Sequence, residues 1–79
     1  LNFELRFNKL TSREGEIAEL IALNNTNKVI AEKLGISVRT IELHRSRIFD
    51  KMEVSSATEI AAKFEKLAYS KKSFLTTTD

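Results

Sequence analysis

The sequence predicts an all-α fold: a compact four-helix domain containing a helix-turn-helix. Three observations predict it. Pro is absent and Gly occurs only at positions 15 and 35, so the residues that break helices are nearly missing. Apolar residues recur at helical spacing in four stretches, each preceded by a Ser or Thr able to cap a helix N-terminus. Between the second and third stretches, Ala31, Gly35 and Ile41 stand four and six residues apart. A small residue lets two helices approach, glycine supplies a positive φ in the turn, and a β-branched residue plugs the core from the next helix. Plain helical hairpins also turn on glycine, so this spacing alone leaves the function open.

The elements follow in order. Residues 1–9, LNFELRFNK, alternate, with Leu1, Phe3, Leu5 and Phe7 on one side of an extended arm or linker end. The first helix opens at TSRE, where Thr11 caps and Glu14 completes a capping box, with Leu10 as a staple. Ile17, Ala18, Leu20 and Ile21 form its inward stripe, while Glu16 and Glu19 face out. Gly15 in its first turn costs about 1 kcal/mol relative to Ala. The helix ends near Leu23, and the Asn24-Asn25 pair suits the left-handed position beyond a helix end. Thr26 caps a second helix over 27–34, which buries Ile30, Ala31 and Leu34 and stops at Gly35. Ser37 caps a third helix over 38–51, with Ile41, Ile48 and Met52 inward, His44 on the same face and Val38 at its entrance. Ser56 and Glu59 form a second capping box that starts a fourth helix over 57–69. Its apolar residues (Ala57, Ile60, Ala61, Phe64, Leu67, Ala68) are too many for one face, which predicts burial on more than one side: core alone, or core plus a dimer contact. Residues 70–79 carry no cap and no period and read as a flexible tail. The folded domain is therefore expected over 10–69.

Several function classes are disfavoured. A chain of 79 residues builds one small core. It has no Cys, hence no disulfide framework and no Cys-based metal site, which fits a reducing, cytoplasmic setting. No apolar run nears the roughly 18 residues of a membrane span, and no signal peptide is visible. The first residue is Leu1, as expected of a piece cut from a longer chain. No nucleophile–base pair, phosphate loop or ligand cluster stands out, so neither enzymatic activity nor a metal or other cofactor is expected. His44 is the single His; without a Cys or His partner it reads as a satisfied structural residue rather than a ligand. Charge points elsewhere. Between Thr26 and Lys51 lie six basic residues (Lys28, Lys33, Arg39, Arg45, Arg47, Lys51) against Glu32, Glu42 and Asp50, a local +3, while the remainder is −1. A basic patch on a near-neutral body is either a solvated surface or the footprint of a polyanion binder.

The motifs carry a resemblance that spans residues 10–68. LTSREGEI at 10–17, TNKVIA at 26–31, LGISVRTIELH at 34–44 and IFDKMEV at 48–54 resemble, in register, the signature stretches of the LuxR-type helix-turn-helix family, the output domain of LuxR, NarL and FixJ regulators. The wording ISVRTIELHR is similar to the FixJ branch, which implies the output domain of a two-component response regulator. The family usually has Gly before Asn27, where this chain has Asn24-Asn25, and an Arg near Ala57 that is absent here.

The resemblance implies sequence-specific binding of double-stranded DNA, with the third helix in the major groove. Arg39, Glu42, Leu43, Ser46 and Arg47 would face the bases, and their helical phase lies opposite Ile41 and Ile48. Arg39 and Arg47 are able to donate to guanine or phosphate, Glu42 to accept from cytosine N4 or simply to be solvated, Leu43 to touch a thymine methyl, and Ser46 to serve either edge. Thr26, Lys28 and Thr40 look like the family's phosphate-contacting positions, Asn27 belongs to the same DNA-binding stretch, and Arg45 lies at the flank as a phosphate contact. The resemblance also implies a homodimer on DNA through the fourth helix, assigned here to Ile60, Phe64 and Leu67, and admits RNA polymerase as a partner. Two other readings stay open: a sigma-factor-like promoter-reading module, and a protein-interaction domain of the same fold that has lost DNA binding.

Overall fold

A computed structural model describes residues 9–66, and these form four helices and no strand. The helices are α1 (Ser12–Ala22), α2 (Asn27–Leu34), α3 (Val38–Met52) and α4, described over 57–66. The arm with Leu1, Phe3, Leu5 and Phe7, the end of the fourth helix with Leu67 and Ala68, and the tail lie outside the described residues.

Local chemistry fixes the boundaries. Thr11, Thr26 and Ser37 each hold extended backbone, and each hydroxyl accepts the N–H three residues on: Glu14, Val29 and Thr40. One orphan amide per helix is satisfied this way, worth about 1 kcal/mol each. Thr11 and Glu14 make the full reciprocal box, with the Thr11 N–H donating to Glu14 Oε1 at 2.9 Å. At the fourth helix the box is shifted. Ser56 Oγ accepts from the Glu59 N–H as expected, but the Glu59 carboxylate reaches the N–H and hydroxyl of Ser55.

Three helix ends close on left-handed residues. Asn24 has φ +68° after α1, and the Asn24 and Asn25 amides donate to Ile21 and Leu20 carbonyls. Gly35, also at φ +68°, ends α2 and turns the chain into α3. After α3 the same geometry falls on Glu53, φ +54°, with the Glu53 and Val54 amides donating to Asp50 and Phe49 carbonyls. Asn and Gly take this conformation readily; for Glu it costs about 1–2 kcal/mol.

The core lies where α1, α2 and α3 meet, closed by α4. Ile17, Ile21, Ile30, Ile41, Ile48, Met52 and Ile60 are its largest fully buried side chains, with Ala18, Ala31 and Val54 between them. Each large side chain contributes about 1.5–3 kcal/mol by leaving water. Leu10, Leu34, Ile36, Phe49, Ala57 and Phe64 pack partly buried around this cluster. Ile60 is 0% exposed, so its side chain belongs to the core and is not available to a dimer surface. Of the three residues assigned to dimerisation, Phe64 is half-buried against the core and Leu67 lies outside the described residues.

One ion pair crosses this core edge. Glu14 is 3% exposed, and its Oε1 also accepts from Lys51 Nζ at 2.7 Å. The Lys51 ammonium and the Thr11 N–H hold the carboxyl below its ordinary range against the opposing effect of burial. The capping box of α1 is thereby fastened to the last turn of α3. Lys51, counted in the basic patch by sequence, is a structural cation.

Candidate nucleic-acid interface

Helix α3 is divided along its length. Ile41, Ile48 and Met52 hold it to the core. Arg39, Glu42, Leu43, Ser46 and Arg47 are all exposed, within an arc of about 140° at roughly 100° per residue. The expected groove-facing set is therefore on one solvent-facing side, opposite the core. Leu43 is 50% exposed, a large apolar side chain left in water on this face. Val38, expected at the core entrance, is 40% exposed instead and extends the apolar surface at the start of α3. It sits about 100° from Arg39 in helical phase, so the sequence placed it at the margin of either face.

Two of the three charged members of the face are engaged with each other. Arg39 Nη1 and Glu42 Oε1 lie 3.5 Å apart, one turn along the helix, with side chains 78% and 50% exposed. Ser37 and Thr40 share a hydroxyl–hydroxyl hydrogen bond of 2.9 Å beside the first amides of α3. Thr40 is partly buried and Ser37 exposed, so this N-terminus opens to solvent.

The first turn of α2 stands next to α3. Thr26 and Lys28 are exposed. Asn27 is partly buried, and its Oδ1 accepts from Arg45 Nη1 at 3.3 Å. The Arg45 guanidinium also lies 5.0 Å over the centre of the Phe49 ring, a cation–π distance. Arg45 thus braces α3 against α2, a role invisible to a reading that placed it at the flank as a phosphate contact. The pairing joins residues 18 apart in sequence, and neither helical period nor charge signals it. Lys28, Arg39, Arg47 and Lys33 are exposed cations of the patch, whereas Lys51 is turned to Glu14.

His44 is half-buried beside this face, and its Nδ1 is buried with no hydrogen-bond partner. The expectation was a satisfied structural His, and no protein group among the described residues serves as its partner at that atom. Among the described residues no three His, Cys, Asp or Glu side chains come together as a metal site would require.

The family model described as bacterial regulatory proteins, luxR family, matches residues 8–64. The chain belongs to the luxR family. It is 44% identical over 64 residues to the tetrathionate response regulatory protein TtrR of Salmonella typhimurium, covering 81% of this chain and 31% of that protein. It is 49% identical over 53 residues to the uncharacterized response regulatory protein YgeK of Escherichia coli, covering 67% of this chain and 36% of that one. It is 46% identical over 54 residues to the oxygen regulatory protein NreC of Staphylococcus haemolyticus, covering 68% and 25%. The chain spans about a third or less of the length of these relatives. No solved structure matches it. As a luxR-family helix-turn-helix domain it is a DNA-binding regulator domain, and no helix among its described residues is long and apolar enough to cross a membrane.

Proposed function

We propose that this chain is the sequence-reading output domain of a two-component response regulator, with α3 lying in the major groove of double-stranded DNA. The observation that carries this reading is the exposed face of α3, where Arg39, Glu42, Leu43, Ser46 and Arg47 stand together with their backs to the core. That set supplies donors for guanine, a carboxylate beside them and an apolar contact for a thymine methyl. Thr26, Lys28 and Thr40, with the free amides at the starts of α2 and α3, hold the phosphate backbone, and the Arg45–Asn27 contact sets the angle at which the two helices meet it. The names of the relatives, each a regulatory protein and two of them response regulatory proteins, support the two-component reading. In that setting the protein works in the cytoplasm without catalysis. It pairs as a homodimer through the fourth helix, and a receiver segment elsewhere in the protein supplies the signal. RNA polymerase is then the partner downstream of DNA.

Selection of bound duplexes from a random library tests the reading. The expected result is enrichment of a defined sequence, with half-sites about 10 bp apart if two copies bind. Recovery of no sequence over background would overturn it and favour the protein-interaction alternative.

A further inference from the structure

We propose that Glu42 is a positioning residue for Arg39, and that the pair, rather than either side chain alone, sets selectivity at one base pair. The inference rests on the reading of α3 as the groove helix. Arg39 is the second residue of α3, after the Ser37 cap and Val38. A cation there faces the positive pole of the helix, and the first turn holds no carboxylate to offset it. Glu42, one turn on, is the group that does, through the 3.5 Å contact with Arg39 Nη1.

The contact divides the guanidinium. With Nη1 turned to Glu42, the Nε–H and Nη2–H edge remains free, and that edge matches the O6 and N7 acceptors of guanine. A long, exposed arginine otherwise reaches a phosphate as readily as a base, and phosphate contacts carry no sequence information. Glu42 opposes that choice. If Arg39 swings to a phosphate, the carboxylate is left alone in the negative field of the duplex. If Arg39 stays paired and reads guanine, the carboxylate remains neutralised. Selectivity then comes from what Glu42 makes unfavourable as well as from what Arg39 makes favourable. On this account Glu42 needs no base of its own.

A double-mutant cycle on the 79-residue chain tests the proposal. The probes are the duplex recovered by random-library selection, its variants with each base pair replaced in turn, and a scrambled duplex of equal length. E42A is expected to lower the ratio of selected to scrambled affinity about tenfold while raising affinity for the scrambled duplex, with the loss confined to the base pair that R39A also releases. The R39A/E42A double variant is expected to lose no more selectivity than R39A, and E42Q, which keeps an acceptor oxygen, to recover part of what E42A loses. Helicity by circular dichroism should match in all variants, since both side chains are exposed. If E42A and R39A instead release different base pairs and their losses multiply, Glu42 is an independent reader and the proposal is overturned while the groove reading stands. If the unsubstituted chain enriches no duplex, both fall together.

Discussion

The two sides of α3 use one backbone for opposite purposes. On one side Ile41, Ile48 and Met52 are sealed in the core; on the other Arg39, Glu42, Leu43, Ser46 and Arg47 stand in water. The inner side is satisfied within the chain. The outer side holds hydrogen-bonding groups and an apolar surface beyond what folding needs. A substitution inside should therefore act on stability first, and one outside on binding alone. The contrast is sharpest between Ile48 and Leu43, an aliphatic residue of similar size on each side.

The largest effect expected from this contrast is on folding. I48A should destabilise the domain by about 2–5 kcal/mol in urea denaturation, whereas L43A should stay within about 0.5 kcal/mol and weaken DNA binding instead. Equal stability losses would break the contrast.

Binding should respond on the outer side. R47A is expected to weaken the selected duplex by about 1–3 kcal/mol in an anisotropy titration and to relax preference at the base pair it faces. K28A, beside α2's N-terminus, should weaken all duplexes similarly and flatten the salt dependence by about one unit of slope. A loss confined to one sequence would contradict a backbone role for Lys28.

Lys51 separates charge from function. K51A should cost about 1–2 kcal/mol, because Glu14 keeps the Thr11 amide but loses its ammonium partner in a buried place. It should leave the salt dependence of DNA binding unchanged. The Glu14 carboxyl titrates below its ordinary value in the folded chain. The unfolded chain therefore binds its proton first on acidification, and the stability Glu14 contributes is complete above the ordinary carboxylate value and lost as pH falls through the folded one. K51A should flatten stability against pH in that acid range.

Much of this was legible from the sequence because it is local. Thr11, Thr26 and Ser37 cap the residues three positions away, and Asn24 and Gly35 take the left-handed turns that their side chains allow. The outer face of α3 was implied by the family resemblance, and helical phase agreed with it. What escaped reading was non-local or against preference. Lys51 looked like one more surface cation because its partner is 37 residues away. Arg45 was read as a flanking phosphate contact, and its bond to Asn27 escaped because Asn27 lies on another helix. Glu53 carries no turn signal. Ile60 was assigned to a dimer surface because the width of the apolar surface of the fourth helix says how much is covered and not by what; the structure covers Ile60 with the chain's own core.

The most direct test is a titration of the isotope-labelled chain with the selected duplex, followed by backbone amide shifts. The account predicts that the large shifts fall at 26–28 and along the outer side of 37–47, while the amides of α1 and of the described part of α4 move little. Shifts centred on α1 or α4, with 37–47 unmoved, would contradict it.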